Sequence, residues 1–244
     1  MNNLSDKTTI VVGASRGLGQ GIATVFAQAG SRVIAVSRTA PDNGFGAIQP
    51  VLADAADPTV PATLLDRHDP DIVILVAGAT PPMRPIQYQT WETFSVNWDA
   101  DVRIVFHWVR EALIKPLRPG SRVVVISSGA AVAGSPLSGG YAGAKATQRF
   151  ITAYARDEAQ RAGLDISFTA LLPRLTPLTE LGRPAVRAYA ARAGQTEGEY
   201  VAQFGTPPLT PEMAGAAVLE VVRGEVDGVA SAYLLTGAGL RELS

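Results

Sequence analysis

Cysteine is absent from the 244 residues of this sequence, and histidine occurs only twice, at His68 and His107. Without cysteine the chain has no disulfides, thiolate metal ligands or cysteine nucleophiles, which suits an intracellular protein. With only two imidazoles and no thiolates, the chain has few of the usual ligands for a catalytic metal, so we predict no metal site. Long apolar runs and long basic runs are also missing, which argues against membrane and nucleic-acid partners.

The composition that remains is that of an ordinary folded protein. Hydrophobic residues make up 47% of the chain and charged residues 18%, with a formal net charge of -1. Disordered chains have fewer apolar residues and a larger net charge. The first nine residues are polar and lack the basic and then apolar pattern of a secretory signal. We therefore expect a cytoplasmic protein.

Short apolar runs alternate with segments of helical spacing, as in proteins whose parallel strands are buried on both faces. The strand candidates are Thr9–Gly13, Arg32–Ser37, Ile48–Leu52, Ile72–Val76, Arg122–Ser127, Ile166–Leu172 and Ala232–Thr236. The helix candidates are Leu18–Ala29, Trp91–Leu117, Tyr141–Ala162 and Pro211–Arg223. This alternation predicts one α/β domain of the Rossmann type over residues 1–244, a three-layer αβα sandwich with a doubly wound parallel sheet.

Residues 173–208 break the alternation. The segment is rich in proline and arginine and contains no clear strand. In a doubly wound fold, an insertion after a late strand lies over the carboxyl edge of the sheet, where ligands bind. We therefore expect residues 173–208 to form a lid over the substrate.

A glycine-rich pattern, G-x-x-x-G-x-G, joins the first strand candidate to the first helix candidate. Glycine at such a junction allows a tight turn and lets backbone amides approach a pyrophosphate, and the helix N-terminus adds partial positive charge. No G-K-[ST] follows, so a phosphate-transferring P-loop is excluded. The pattern predicts a dinucleotide site formed by Gly13, Ser15, Arg16, Gly17, Leu18 and Gly19.

The end of the second strand candidate bears on the choice of cofactor. An NAD site usually has an acidic residue there that binds the ribose 2′-hydroxyl, whereas this strand ends in Ser37 and Arg38. Arg16 would approach the same position from the glycine-rich turn, and two guanidinium groups on one phosphate form strong charge-assisted hydrogen bonds. The alternative is that both arginines are solvated surface residues. The pattern favours NADP(H) over NAD(H).

Tyr141 and Lys145 are four residues apart, so in a helix they lie on one face about one turn apart. An adjacent cation favours tyrosinate and would lower the phenol pKa from about 10 towards the operating pH of a general acid. Ser128 ends a strand candidate thirteen residues before Tyr141. Its hydroxyl could donate to a substrate oxygen, whereas strand alternation should turn Ser127 away. Alone, a Y-x-x-x-K pair is usually two surface residues.

Together these features resemble the classical short-chain dehydrogenase/reductase family. The glycine spacing, the interval from Ser128 to Tyr141, Lys145, and Asn97 in a Ser-Val-Asn-Trp segment carry the resemblance. It implies reversible hydride transfer between nicotinamide and a small carbonyl compound or alcohol, with reduction favoured by NADP(H). Tyr141 would protonate the alkoxide, Ser128 would bind its oxygen, Lys145 would bind the ribose, and Asn97 would anchor a water in the proton relay.

The resemblance also implies further cofactor contacts and a homodimer or homotetramer. The contacts would come from Asp54 and Ala55 at the adenine, from Ala77 and Gly78 beside a ribose, and from Pro173 and Thr176 near the nicotinamide. Two residues depart from the family pattern. Val76 replaces an asparagine that ties neighbouring strands, and Arg174 replaces a glycine.

Two other functions fit parts of the sequence. A non-catalytic NADP(H)-binding redox sensor could use the same fold, although loss of the tyrosine or the lysine would mark such a protein and both are present. A nucleotide-sugar epimerase or dehydratase usually has a larger substrate domain and the other glycine spacing. An oxidoreductase is therefore the prediction, with the redox sensor as its alternative.

Overall fold

The computed structural model describes residues 4–40, 48–224 and 228–243. In this part of the chain the strands are β1 (Thr8–Val12), β2 (Arg32–Ser37), β3 (Gln49–Leu52), β4 (Ile72–Leu75), β5 (Ser121–Ile126), β6 (Ile166–Pro173), β7 (Ala232–Thr236) and β8 (Gly239–Leu243). They form one sheet in the order β3-β2-β1-β4-β5-β6-β7-β8.

Helices connect these strands. They are α1 (Gly17–Gln28), α2 (Thr59–His68), α3 (Trp91–Asn97), α4 (Arg103–Ile114), α5 (Ala130–Ala133), α6 (Gly139–Arg161), α7 (Gly182–Ala193), α8 (Glu197–Ala202) and α9 (Pro211–Arg223). A 3₁₀ turn covers Ile86–Tyr88, and a π-helical turn, Trp98–Val102, joins α3 to α4.

The sheet reverses its winding direction next to β1. This strand pairs in parallel with β2 on one side and with β4 on the other. Parallel pairing continues through β7, and β8 is antiparallel to β7. The predicted doubly wound α/β fold is confirmed, and its switch point opens a crevice at the carboxyl ends of β1 and β4, where ligands bind in such sheets.

Each face of the sheet packs against its own layer of helices. In β1, Val11 joins a buried cluster with Phe26 of α1. Its neighbours Ile10 and Val12 join the opposite cluster, with Trp108 of α4. Alternate side chains of a strand point to opposite faces, so near-continuous apolar strands are what a three-layer structure requires.

Several elements differ from the sequence predictions. Helix α2 was not anticipated because it contains Pro61, but proline in the first helical turn loses no intrahelical hydrogen bond. Strand β8 was missed because Arg241 and Glu242 interrupt its apolar pattern, and both are exposed at the edge of the sheet. The helix predicted over Trp91–Leu117 is divided by the π-helical turn and ends at Ile114.

The described ranges contain neither a membrane-spanning helix nor a cluster of metal-binding side chains. None of the helices in residues 4–40, 48–224 and 228–243 has both the length and the apolar character that crossing a membrane requires. The same ranges contain no group of three or more His, Asp or Glu side chains placed to hold a metal ion.

His68 gives the fold a pH-dependent stability. Its side chain is 7% exposed at the end of α2, and neither ring nitrogen has a hydrogen-bond partner among the described residues. Burial lowers the pKa of His68, and the charges of Arg32 and Arg67 lower it further. The folded state therefore prefers the neutral imidazole, so its contribution is complete above about pH 6.5 and is lost as the pH falls through the folded pKa.

We expect His68→Leu to lose less unfolding free energy than the wild type between about pH 7.5 and pH 5. Urea unfolding of both proteins at several pH values measures the difference. His107→Leu, which removes the other histidine, should keep the wild-type dependence. Parallel curves for His68→Leu and the wild type would show that His68 titrates alike in the folded and unfolded chains.

Candidate active site

The predicted site residues come together at the carboxyl edge of the sheet. Gly13 follows β1 and donates its N–H to Val36 O of β2 at 2.8 Å. Ala77 follows β4 and donates its N–H to Val12 O of β1 at 2.9 Å. Ser128 lies just beyond β5 on the same edge. Main-chain bonds therefore place the glycine-rich turn beside the segment that follows β4.

Close backbone packing requires two glycines of the turn. Gly13 has φ +92°, and a Cβ there would lie 2.6 Å from Ala77 N. A Cβ on Gly19, in the first turn of α1, would lie 2.0 Å from Gly13 O. Neither contact leaves room for a methyl group. Glycine at both residues therefore lets the turn pack directly against the end of β4 and the start of α1.

The start of α1 fits the phosphates of a dinucleotide. Arg16 is its N-cap residue, no side chain caps the first turn, and the first turn has no acidic residue. The first amides of a helix lack intrahelical acceptors and carry partial positive charge, which suits an anion. A cleft of about 330 Å³ adjoins this turn and is lined by residues that include Arg16, Gly17, Gln20, Thr179, Glu180 and Arg183.

The two arginines assigned to the cofactor phosphate are both on the surface. Arg38 is exposed just after β2, while Ser37 is buried and donates from Oγ to Thr39 O at 2.7 Å. Arg16 donates from Nη1 to Glu180 Oε2 at 2.7 Å, with both side chains more than 60% exposed. Exposed pairs of this kind contribute little stability, so the Arg16 guanidinium can exchange Glu180 for another anion.

Asp54 and Ala55 follow β3. Asp54 is exposed, and its Oδ1 accepts from Ala56 N at 3.0 Å. Ala55 is buried, and its carbonyl accepts from Trp108 Nε1 of α4 at 3.2 Å. The loop is therefore anchored to α4 at Ala55 and presents the carboxylate of Asp54 to solvent.

Tyr141 and Lys145 lie in successive turns of α6, and Lys145 Nζ is 5.5 Å from the centroid of the Tyr141 ring. Ser127 Oγ donates to Lys145 O at 2.7 Å, and Lys145 Nζ donates to Ile126 O at 3.4 Å. These bonds fasten the end of β5, which leads into Ser128, to the turn of α6 that holds Lys145. Ser127 faces inwards, as strand alternation predicts.

Ser128 is half-buried, and its Oγ accepts from Ala130 N at 3.2 Å. A hydroxyl that accepts in this way keeps its own proton for another acceptor. The geometry therefore lets Ser128 donate to a substrate oxygen, the role expected from the sequence.

Asn97 and an unanticipated residue, Asp101, hold the segment after β4. Asn97 Nδ2 donates to Ala79 O at 2.7 Å and to Asp101 Oδ1 at 3.2 Å. The same Oδ1 accepts from Ala79 N at 2.7 Å. Both main-chain polar groups of Ala79 are thus held by side chains of α3 and of the π-helical turn. These bonds use Nδ2 of Asn97, and its expected contact with a water stays a prediction.

Sequence reasoning missed Asp101 because an acidic residue in a helix is usually on the surface. Here it is 1% exposed and its Oδ2 lies 3.2 Å from Lys145 Nζ. Burial acts to lower the pKa of Lys145, but the charge of Asp101, assisted by Tyr141, outweighs burial and raises this pKa above its ordinary value. The signal in the sequence was the interval of four residues after Asn97, which places both on one helix face.

The segment after β6 is fastened by bonds to distant parts of the chain. Thr176 is buried and its Oγ1 donates to Leu209 O at 2.7 Å, and its contact with the nicotinamide stays a prediction. Pro173 pairs with Leu235, and Arg174 N donates to Leu235 O at 2.8 Å. Arg174 Nη1 donates to Phe204 O at 2.6 Å, which ties the two ends of the segment together.

Helices α7 and α8 occupy the region expected to form a lid. Tyr189 of α7 shares hydrogen bonds with Ser135 and Ser138, just before α6. Its ring stacks on Tyr200 at a centroid distance of 6.1 Å, and Tyr200 meets Phe204 edge to face at 5.6 Å. These contacts dock the region on the loop that leads to Tyr141.

The sheet order and the glycine-rich turn define a doubly wound nucleotide-binding domain, and solved structures share this fold. A short chain dehydrogenase from Burkholderia cenocepacia, solved in complex with NADP, has a TM-score of 0.78 at 21% identity, covering 97% of this chain and 98% of its own. The ligand-free aldohexose dehydrogenase of Thermoplasma acidophilum has a TM-score of 0.77 at 20% identity, covering 94% and 92%.

The sequence profile of short chain dehydrogenases matches residues 7–189. The chain belongs to this family, whose members are NAD(P)-dependent oxidoreductases. It is 29% identical over 129 residues to D-erythrulose reductase of Gallus gallus, covering 50% of this chain and 52% of that protein. It is 33% identical over 172 residues to versicolorin reductase of Emericella nidulans, covering 63% and 64%. The matches thus span between half and two thirds of these relatives.

Proposed function

We propose that the chain is an NADP(H)-dependent oxidoreductase that interconverts a carbonyl compound and an alcohol, and that it acts as a reductase. The observation that carries the proposal is the placement of Tyr141 and a charged, buried Lys145 on one face of α6, fastened to the strand end that leads into Ser128. The reductase names of the two relatives support the direction.

Each side chain of this group has a distinct task. Ser128 donates a hydrogen bond to the carbonyl oxygen and polarises it. The bound cofactor supplies the hydride. Tyr141 transfers its phenolic proton to the same oxygen as negative charge develops there, which yields the alcohol. Lys145 places a positive charge beside the phenolate that Tyr141 becomes after the transfer. Lys145 would also bind the ribose.

The cofactor would lie across the switch point of the sheet. The open start of α1 would hold the pyrophosphate, and the segment after β4 would lie against a ribose. The residues proposed to hold it are Gly13, Ser15, Arg16, Gly17, Leu18, Gly19, Ser37, Arg38, Asp54, Ala55, Ala77, Gly78, Tyr141, Lys145, Pro173 and Thr176.

Oxidation of NADPH in the presence of a panel of carbonyl compounds tests the proposal. The panel should include hydroxyketones, aldoses and polycyclic aromatic ketones, which differ in size and polarity. Turnover with any of them supports the reductase. Tight NADPH binding without turnover of any compound, in either direction, would instead favour the non-catalytic sensor.

We expect NADPH to bind more tightly than NADH, and Arg38→Ala to remove much of this preference. Losing a charge-assisted hydrogen bond to the 2′-phosphate should weaken NADPH binding by about 1.5 to 3 kcal/mol, roughly 10- to 100-fold, and leave NADH binding unchanged. Fluorescence titration with both cofactors measures this. Arg110→Ala, an exposed arginine on α4, is the control. Equal affinities of the wild type for both cofactors would contradict the assignment.

We propose that residues 173–208 act as a lid over the substrate. Its contacts with the rest of the protein include the hydrogen bonds of Tyr189 with Ser135 and Ser138, the bond of Thr176 Oγ1 to Leu209 O, and the exposed ion pair of Glu180 with Arg16. We expect NADPH to slow amide hydrogen exchange in this segment and to leave exchange in α2 unchanged. Protection in the apo protein equal to that of β5 would show that the segment is a fixed part of the fold.

The expected homodimer or homotetramer stays a prediction. Exposed aromatic side chains on α4 and α6 are compatible with such an interface, since Phe106, Phe150 and Tyr154 are 49%, 67% and 58% exposed. Sedimentation measures the molar mass in solution.

A further inference from the structure

Lys145 is buried with three acceptors around its ammonium group. Nζ lies 3.0 Å from Gln148 Oε1, 3.2 Å from Asp101 Oδ2 and 3.4 Å from Ile126 O. An ammonium group has three protons, and Nζ makes hydrogen bonds to Gln148 and Ile126 and an ion pair with Asp101. Two of the acceptors are neutral, and Asp101 is the only carboxylate among them.

A second set of bonds closes this arrangement into a ring. Gln148, which accepts from Lys145 through Oε1, donates from Nε2 to the main-chain carbonyl of Asp101 at 2.9 Å. Asp101 therefore contacts Lys145 directly through its carboxylate and indirectly through Gln148. All three residues are at most 4% exposed, so water screens the pair little.

The backbone is shaped around the Asp101 carboxylate. The π-helical turn contains Asp101, and such turns often mark functional sites. A Cβ on Gly78 would lie 2.6 Å from Asp101 Oδ2, so the carboxylate occupies the space that a side chain would need. Oδ1 is taken by Ala79 N and Asn97, whereas Oδ2 forms no hydrogen bond of good geometry among the described residues. Lys145 is thus the charge that compensates Oδ2.

We propose that Asp101 is a positioning residue for Lys145, whose buried carboxylate keeps the ammonium charged and held at the Tyr141 ring before any cofactor binds. This inference rests on the function proposed above, in which a charged Lys145 binds the ribose and stabilises the tyrosine left after proton transfer. Burial alone would favour neutral lysine, and a neutral amine would bind the ribose more weakly and could not stabilise the phenolate by charge. The bond to Ile126 O is the longest of the three, so it is the one most easily given up to a ribose hydroxyl, while Asp101 and Gln148 continue to hold the ammonium.

The first test compares Asp101→Asn with Asp71→Asn. Asp71 is a matched control because it is also buried, lies 3.0 Å from a lysine, Lys7, and accepts from a backbone amide, Thr8 N, at 2.9 Å. It precedes β4 at the opposite edge of the sheet. The asparagine at residue 101 removes the negative charge and keeps the shape, so burial then lowers the pKa of Lys145.

The readout is the NADPH dissociation constant between about pH 7 and pH 9.5. The ionisable groups that face Lys145 are Asp101 and, on its own helix, Tyr141. We expect the wild type and Asp71→Asn to bind with little dependence on pH over this range. Asp101→Asn should bind NADPH more weakly as the pH rises. Above the new pKa of Lys145, the dissociation constant should increase by no more than about tenfold for each pH unit.

The second test uses the apo protein and needs no turnover. Lys145→Met leaves the Asp101 carboxylate buried without its partner, which destabilises the fold. Adding Asp101→Asn should raise the melting temperature of Lys145→Met, although the same substitution lowers that of the wild type. This change of sign is expected of a charge pair and not of a residue that only braces Ala79.

Two results would overturn the proposal. One is the same pH dependence of NADPH binding in Asp101→Asn and Asp71→Asn. The other is an equal drop in melting temperature when Asp101→Asn is introduced into the wild type and into Lys145→Met. Absence of NADPH binding in the wild type, or normal turnover by Tyr141→Phe, would instead overturn the proposed function. The melting temperatures would still report the ion pair in that case, so the two failures can be told apart.

Discussion

Replacing Tyr141 with phenylalanine is expected to lower turnover by about 10²- to 10⁴-fold, the contribution of a general acid. The ring and the helix are kept, and only the hydroxyl proposed to move a proton is lost. Folding should therefore match that of the wild type, and NADPH should still bind. The measurement is kcat/KM with any carbonyl compound found active in the screen, together with a melting temperature and an NADPH titration.

Tyr154→Phe is the matched control for this result, because Tyr154 lies on the same helix and is 58% exposed. It should retain wild-type kcat/KM. Near-normal activity of Tyr141→Phe would show that another group donates the proton, even if the fold and the cofactor are as proposed.

Replacing Gly19 with alanine is the second large effect. The added Cβ would lie 2.0 Å from Gly13 O, and the neighbour is backbone, so the start of α1 must move away from the turn. Overpacking of this kind destabilises by about 1 to 3 kcal/mol or more. Because the amides proposed to bind the pyrophosphate move with it, NADPH affinity should also fall at least tenfold. Urea unfolding and NADPH titration measure the two effects.

Gly198→Ala separates this contact from the general effect of alanine in a helix. Gly198 also lies in the first turn of a helix, α8, and a Cβ there meets no atom within 4 Å. Alanine is the better helix former by about 1 kcal/mol, so this variant should be as stable as the wild type or slightly more stable. If Gly19→Ala behaved in the same way, the first turn of α1 would be more tolerant than its packing against Gly13 indicates.

The parts of the fold that the sequence predicted are those with a local signal. The strands β1, β2 and β7 were placed within a residue of their observed bounds because they are short apolar runs between turns. The glycine-rich turn was found because backbone contacts at Gly13 and Gly19 leave only one residue type possible. Family membership followed from several such signals at fixed spacing.

The features that escaped prediction depend on contacts between distant segments. Asp101 reads as a surface residue until the π-helical turn directs it towards Lys145 on another helix. The hydroxyl of Thr176 is used by Leu209, 33 residues further along the chain. Helices α7 and α8 lie in a segment whose prolines argue against helix, but Pro184 falls in the first turn of α7, where proline is tolerated. The contacts of Asp101 with Lys145 and of Thr176 with Leu209 join residues too far apart in the chain for a short sequence window to contain both.

The ion pair between Arg16 and Glu180 couples the glycine-rich turn to the segment after β6. Both side chains are largely in solvent, so breaking the pair costs only about 0 to 1 kcal/mol. Under the proposed function, a phosphate that takes Arg16 releases Glu180, and by reciprocity any state that frees Glu180 binds that phosphate more tightly. Salt weakens the same contact by screening. Under that function, the ion pair between Arg16 and Glu180 links the two ligand sites at little cost in free energy, and it breaks when the cofactor binds.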